Sequence, residues 1–210
     1  MFLTAAASSL ARGVAIAPPA ERVALGARTL RVAEGNADTI DSGARIWDSG
    51  RALSGLLRDQ LADADTSDVR VLELGAGTGI GGLTAAALGA TTLLSDQPEL
   101  LPLLDSNIDA NSLRSHAAAT QLMWGDASDA ERVGASGPFD LIIGSDLLYA
   151  PQSFPLLLET LTELSVPGAT EVLFTFPTRY TEGIFIEQAA DADFETIEDV
   201  TEVDVNVWSL

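Results

Sequence analysis

Two residue types that carry much of enzyme chemistry are nearly missing: the 210-residue sequence has no cysteine and one histidine. The absence of cysteine excludes disulfide bonds, thiolate metal sites and a cysteine nucleophile, and it fits a reducing, intracellular compartment. The single histidine, His116, cannot form a cluster of metal ligands alone, and its polar run NSLRSHAAAT predicts an exposed position. We therefore expect a cytoplasmic protein whose chemistry needs no metal ion.

Lysine is also absent, because all 11 basic residues are arginine, against 31 acidic residues, and the net charge is −20. So acidic a surface repels phosphate backbones, which argues against nucleic acid as a partner and favours basic protein segments. Adaptation to salty surroundings or a GC-rich genome would produce a similar composition, so both explanations stay open.

No apolar run reaches the roughly 20 residues needed to span a bilayer, so we expect a soluble protein that does not enter a membrane. The composition, 47% hydrophobic and 20% charged, is typical of one globular domain, which we place at residues 23–210 and expect to be monomeric. Residues 1–22 then form an N-terminal extension. Its first 20 residues contain one arginine and no acid, which fits either a transit peptide or a packed or frayed tail.

Strand-like and helix-like segments alternate along the rest of the chain. Residues 194–210 alternate apolar and polar side chains, which predicts two antiparallel strands in a hairpin. The other predicted strands are residues 28–33, 69–74, 91–95, 121–124, 139–144 and 171–176, and the predicted helices are residues 48–61, 83–88, 99–111 and 154–164. This order predicts a single-domain Rossmann-like α/β fold, with an open, mostly parallel sheet, helices on both faces and an antiparallel C-terminal hairpin.

Polar and glycine-rich segments follow four of the predicted strands. They are residues 75–79, Asp96, residues 124–126 and residues 145–149. In open parallel sheets, ligands bind beyond the carboxyl ends of the strands. The sequence therefore predicts one site built from these four segments.

The first segment lies in VLELGAGTGIGG (71–82), where a predicted strand runs directly into glycines. Glycines at 75, 77 and 79 allow a sharp turn and leave bare amides at a helix start, where a ligand can lie. The spacing from residue 77 to residue 82 also matches the dinucleotide fingerprint GxGxxG, but this triplet begins two residues late. In addition, Glu73 places negative charge beside the loop, which suits a cationic amino group better than a pyrophosphate.

The second segment supplies an acid. Asp96, at the end of the next strand, can accept hydrogen bonds from both hydroxyls of a ribose. A ligand with a ribose, a cationic amino acid end and no phosphate is S-adenosylmethionine. The loop, Glu73 and Asp96 together predict this compound as the cofactor, with a dinucleotide as the alternative.

The order of motifs resembles the seven-strand lysine methyltransferases of the methyltransferase-like group, whose members modify chaperones and elongation factors. The resemblance covers residues 43–185, and the pairing of WGD with SDLLY is its most specific part. Arg179 and Phe185 match a late arginine and phenylalanine of the group more loosely. The motifs that carry the resemblance are GARIWDSG (43–50), LELGAGTGI (72–80), SDQPELLPLLDSNIDAN (95–111), LMWGD (122–126) and FDLIIGSDLLY (139–149).

The resemblance implies roles for individual residues. Trp47 would close over the cofactor, Trp124 would stack near its adenine, and Asp146 and Tyr149 would face the acceptor amine as the catalytic residues. Methyl transfer is an in-line displacement, so it requires alignment and a neutral amine more than a nucleophilic side chain. The full set expected at the cofactor is Trp47, Glu73, Gly75, Ala76, Gly77, Gly79, Asp96, Trp124 and Ser145.

These expectations have alternatives. The same fold could methylate a small molecule or another residue type, or it could keep the cofactor site as a non-catalytic interaction module. Trp47 and Trp124 could be core aromatics, and Asp146 could cap a helix. The favoured hypothesis is an S-adenosylmethionine-dependent enzyme that methylates a lysine side chain of an acceptor protein.

Overall fold

The computed structural model describes residues 20–35, 42–177, 181–192, 194–195, 197–200 and 205–209. The strands are β1 (Ala20–Leu25), β2 (Arg28–Ala33), β3 (Arg70–Leu74), β4 (Thr91–Asp96), β5 (Ala117–Gln121), β6 (Leu141–Ser145), β7 (Glu171–Pro177), β8 (Ile197–Val200) and β9 (Val205–Ser209). The α-helices are α1 (Asp48–Leu61), α2 (Ile80–Ala87), α3 (Leu101–Ala110), α4 (Ala127–Gly134), α5 (Phe154–Leu164) and α6 (Thr181–Asp191). Most of the predicted extension lies outside the described residues, so its boundary stays a prediction.

Seven strands form the main sheet, in the order β5-β4-β3-β6-β7-β9-β8. The strands from β5 to β7 pair in parallel, whereas β9 pairs antiparallel with both β7 and β8. The predicted fold class is confirmed, including the C-terminal hairpin. Because β3 lies between β4 and β6, the strand order reverses beside it, and ligands bind at such a switch point.

Helices cover both faces of the sheet. Alternate residues of a strand point to opposite faces, and apolar residues on each face pack against the helices there. In β3, Leu72 and Leu74 belong to the core formed with α5 and α6, while Val71 belongs to the core formed with α1 and α2. Phe185 is fully buried in the first of these cores, and its ring packs edge-to-face on Phe154 with centroids 5.3 Å apart. The late phenylalanine of the resemblance therefore lies in the hydrophobic core.

The strands β1 and β2 form a separate antiparallel hairpin, closed by a two-residue loop in which Gly26 has a φ of +58°. Two asparagines of the α3 region hold this hairpin by its backbone. The Ala33 N–H donates to Oδ1 of Asn107 (2.9 Å), and the Arg31 N–H donates to Oδ1 of Asn111 (2.8 Å). The hairpin is therefore fixed to the main domain through the edge of β2.

The sequence prediction of the third core strand, residues 121–124, is wrong. The strand β5 has the sequence AAATQ, and the apolar residues after it continue past its end into a turn at Gly125, where φ is +77°. Helices α4 and α6 and strand β1 were not predicted. His116 is exposed, as expected, and Arg179 lies outside the described residues. None of the helices in the described part of the chain is both long and apolar enough to cross a membrane.

Candidate functional site

A cavity of about 620 Å³ lies at the carboxyl ends of the parallel strands. Residues that follow β3, β4, β5 and β6 line it, together with a segment that precedes α1. The predicted site residues found on its lining are Trp47, Gly75, Ala76, Gly77, Asp96, Trp124, Ser145, Asp146 and Tyr149. The structure thus brings together nine residues from five segments, while Glu73 and Gly79 lie elsewhere.

The glycine loop after β3 is a tight backbone turn. Gly75, Gly77 and Gly79 have φ values of +54°, +56° and +78°, a region that side chains disfavour. A Cβ added to Gly77 would lie 2.5 Å from the carbonyl oxygen of Gly43. A Cβ on Gly79 would instead lie 2.6 Å from Leu94 in the core. Gly79 is therefore required for packing beneath the loop. The part of the loop that faces the cavity is the part before it, Gly75 to Gly77.

Asp96 joins the glycine loop to the end of β4. Its Oδ2 accepts from the Gly77 N–H at 2.7 Å, and its Oδ1 accepts from the Gln97 N–H at 2.7 Å. Burial raises the pKa of this carboxyl, and the two amides act in the opposite direction. Each oxygen keeps a further lone pair for a ligand hydroxyl. Asp96 is therefore both a loop anchor and a possible acceptor inside the cavity.

Glu73 occupies a different place from the one expected. It points to the same face of the sheet as Val71, towards α2, and its side chain is 1% exposed. The Gly82 N–H donates to its Oε2 at 2.9 Å, and Gly81 and Gly82 leave the space that its carboxyl group fills. Burial raises the pKa of Glu73 to about 8, and the nearby charge of Asp96 adds to this effect. Its contacts support α2 and the loop, and it does not line the cavity.

The segment before α1 forms one wall of the cavity and is fixed by the hairpin end. The Ile46 N–H donates to Oε1 of Glu34 (2.8 Å), and the Gly35 N–H donates to the Ala44 carbonyl (2.8 Å). Trp47 follows at the start of α1, where it is 46% exposed and lines the cavity. The tryptophan is thus a wall of the cavity and not a core residue.

The opposite wall comes from the end of β6. Asp146 has a φ of +57°, and its N–H donates to the Thr175 carbonyl at 2.8 Å. This conformation is uncommon for residues other than glycine, although asparagine and aspartate adopt it most readily. Tyr149 is 63% exposed at the same wall, and Ser145 ends β6 beside it. Asp146 precedes no α-helix directly, so the helix-cap alternative has no support here.

Trp124 lies at the third side of the cavity, where it packs partly buried against the core. A Cβ on Gly75 would lie 2.7 Å from Leu147 and 3.5 Å from the ring of Trp124. Gly75 is therefore required for the close packing of Leu147 against the loop. Asp126, two residues later, caps α4 by accepting from the Ser128 and Asp129 amides and does not line the cavity.

Sequence reasoning missed several residues that line the cavity or support it. Arg45 and Glu99 line the cavity, and Asn107 lies behind the glycine loop with 1% exposure. Arg45 is the residue between two buried ones, Ala44 and Ile46, in the tryptophan motif. That alternation could have identified it as a side chain pointing away from the core.

The architecture has counterparts among solved structures. A SAM-dependent methyltransferase from Agrobacterium tumefaciens superposes with a TM-score of 0.60 at 14% identity, covering 94% of this chain and 71% of that one. At such low identity the likeness establishes the fold alone. The fold is that of the Rossmann-like methyltransferases.

The sequence comparisons are more specific. A family model for lysine methyltransferases matches residues 25–196, and this chain belongs to that family. It is 38% identical over 138 residues to the protein N-lysine methyltransferase METTL21A of Danio rerio, covering 64% of this chain and 61% of that protein. It is 36% identical over 128 residues to EEF1A lysine methyltransferase 3 of Mus musculus, covering 60% and 53%. The chain thus spans little more than half the length of these relatives. The resemblance stated from the motifs is confirmed.

Proposed function

We propose that this chain binds S-adenosylmethionine in the cavity and methylates a lysine side chain of another protein. The observation that carries the proposal is the position of Asp96. Its carboxylate is tied to the glycine loop by the Gly77 amide and also faces the cavity. This one carboxylate thereby fixes the loop that would contact the cofactor. It would also accept hydrogen bonds from the ribose hydroxyls of the cofactor.

The residues around Asp96 fit the rest of the cofactor. Trp124, Leu122 and Leu147 provide an apolar and aromatic surface suited to a purine ring. Gly75 lines the cavity with bare backbone, which a ligand can approach closely. When bound, S-adenosylmethionine supplies a methyl group on a positively charged sulfur.

Asp146 and Tyr149 fit the acceptor side of the reaction. A carboxylate and an aromatic ring suit the head of a lysine side chain, the first by charge and hydrogen bonding and the second by its π face. The hydrogen bond from the Asp146 amide to Thr175 holds the backbone of this wall against β7. In this arrangement the two side chains orient the amine, and alignment is what an in-line displacement requires.

The exposed rim of the cavity supports a protein acceptor over a small molecule. We define the exposed rim as the large hydrophobic residues that line the cavity yet remain open to solvent: Trp47, Met123, Tyr149 and Leu156, at 46%, 40%, 63% and 45% exposure. Exposed apolar side chains around a binding site are typical of contact with a protein surface. The net charge of −20 further favours a basic segment of the acceptor.

Labelled S-adenosylmethionine, incubated with the purified chain and a cell extract, tests the proposal. We expect label in lysine residues of extract proteins, located by mass spectrometry. The chain contains no lysine and so contributes no acceptor lysine of its own. Label found only in small solutes would indicate a small-molecule methyltransferase. Cofactor binding without transfer, unchanged in Asp146→Asn, would indicate a non-catalytic interaction module.

Calorimetry with S-adenosylhomocysteine tests the cofactor site separately. Asp96→Ala removes both the loop anchor and the acceptor for ribose, so we expect binding to weaken by about 1–3 kcal/mol. Asp63→Ala, which removes an exposed carboxylate away from the cavity, is the matched control. Equal affinities of Asp96→Ala and the wild type would rule out this role for Asp96.

A further inference from the structure

Four charged side chains line the cavity among the residues that the structure describes: Arg45, Asp96, Glu99 and Asp146. Three are acids, as the composition leads one to expect, and Arg45 is the exception. In a chain with 31 acidic residues, a basic side chain that lines a cavity with no acidic partner among the described residues requires an explanation.

Arg45 makes no hydrogen bond or ion pair with any other described residue, and it is the one described arginine that lines the cavity. It is exposed to the cavity and is not part of the core. A guanidinium has five donors in a planar fork, which suits a carboxylate by two parallel hydrogen bonds. Among the described residues, Arg45 is therefore the cationic group on the cavity lining, and none of them occupies its donors.

The backbone on both sides of Arg45 is fixed. Ala44 and Ile46 are buried, the Ala44 carbonyl accepts from Gly35, and the Ile46 amide donates to Glu34. The direction of the Arg45 side chain is thereby set by the fold, so a ligand contact would require only rotamer changes. Because the backbone of this segment is already ordered, binding through Arg45 costs only the conformational entropy of its side chain.

We propose that Arg45 binds the α-carboxylate of the cofactor and makes the cavity select adenosyl compounds that retain this carboxylate. This inference rests on the proposed function. S-adenosylmethionine has a single anionic group, and Arg45 is the basic side chain on the lining that can neutralise it. Asp96 would hold the ribose in the middle of the ligand, so Arg45 and Asp96 together would recognise two separate polar groups of the cofactor.

Binding measured with two non-reactive compounds tests the inference without any methyl transfer. S-adenosylhomocysteine has the carboxylate, and 5′-methylthioadenosine has the same adenosine and sulfur but lacks the amino acid. For Arg45→Gln, we expect the affinity for S-adenosylhomocysteine to fall about 10- to 100-fold, the range for a lost hydrogen bond to a charged group. The affinity for methylthioadenosine should stay within about two-fold, because that ligand has no group for Arg45 to bind.

Two further variants control for charge and for folding. Arg31→Gln removes the same charge from the exposed hairpin and should bind both compounds like the wild type. Arg45→Lys keeps the charge without the planar fork and should recover part of the lost affinity. Melting temperatures of all variants, followed by circular dichroism, should match the wild type because Arg45 is exposed.

The remaining outcomes contradict the inference in distinct ways. If Arg45→Gln weakens both compounds equally, Arg45 acts through the shape of the wall and not through the carboxylate. If neither affinity changes, Arg45 does not contact this ligand and the inference is wrong. A wild-type chain that binds neither compound would refute the proposed function and this inference with it.

Discussion

The side-chain amide of Asn107 donates to the carbonyl of Thr78 at 2.9 Å and so connects α3 to the glycine loop. The same amide donates to the Ala33 carbonyl (3.0 Å), and its Oδ1 accepts from the Ala33 N–H (2.9 Å). One buried side chain therefore links three segments: the hairpin, the loop and α3. Glu34, next to Ala33, holds the cavity wall through Ile46, so the link extends to the segment that contains Trp47.

Asn107→Leu should destabilise the fold and loosen the cavity wall. The substitution leaves backbone groups of Ala33 and Thr78 without partners in a buried place, which we expect to cost about 2–5 kcal/mol. Urea denaturation measures the change. Asn111→Leu removes a similar but more exposed contact with β2 and should cost less. Equal losses for the two variants would show that Asn107 has no special role.

Gly77→Ala should be far more damaging than the size of one methyl group suggests. The added Cβ would lie 2.5 Å from the Gly43 carbonyl oxygen at a φ of +56°. We expect a loss of about 2–4 kcal/mol of stability and impaired binding of S-adenosylhomocysteine. Gly55→Ala, in α1 with open space around it, is the matched control and should be neutral or stabilising. Normal binding and stability in Gly77→Ala would contradict the crowding seen in the structure.

The sequence predicts the sheet and the place of the cavity well, because buried parallel strands and the glycines after them leave strong local signals. It fails for β5, since three alanines and two polar residues carry little strand signal while the apolar residues Leu122 to Trp124 lie beyond its end. The start of α4 did have a sequence signal, because aspartate is a preferred helix N-cap residue. In the structure, the Asp126 carboxylate accepts hydrogen bonds from the Ser128 and Asp129 amides at this helix start.

The structure places Glu73 away from the cavity lining, and strand alternation could have indicated this direction. Leu72 and Leu74 face one core, so Glu73 must face the other, beneath α2. Asn107 depends on contacts between segments distant in sequence, such as the hairpin and the glycine loop. A single sequence without those contacts gives no reason to select it.

Glu73→Gln should reduce the pH dependence of stability. Burial raises the pKa of Glu73 from about 4.5 to about 8, so the folded chain holds a proton that the unfolded chain releases at lower pH. The stability contributed by this proton is present below about pH 4.5 and is lost progressively as the pH rises through 8. Glutamine does not titrate, so its variant should lose less stability over that range.

Melting temperatures between pH 5 and pH 9 measure this effect. Repulsion among the 31 acids also lowers stability at high pH, and the comparison between variants removes this shared contribution. Glu131→Gln, which removes an exposed carboxylate on α4, should follow the wild type. Parallel curves for Glu73→Gln and the wild type would mean that Glu73 does not hold the proton.

Asp146→Asn should slow methyl transfer and spare cofactor binding. Asparagine tolerates the left-handed backbone conformation at this position, so the change removes charge without straining the chain. We expect a loss of about 10²-fold or more in the transfer rate, as when a group that orients the reactants is removed. Rates under single turnover, together with calorimetry, separate the two effects. Equal losses of binding and transfer would point to misfolding instead.

The two tryptophans at the cavity have a practical consequence. Trp47 and Trp124 both line it, on separate walls, and they are two of the three tryptophans in the chain. An indole partly open to water changes its emission when a purine or an acceptor displaces that water. Occupancy can therefore be followed from the intrinsic fluorescence of the unlabelled protein, and single Trp→Phe variants would distinguish which wall a ligand touches first.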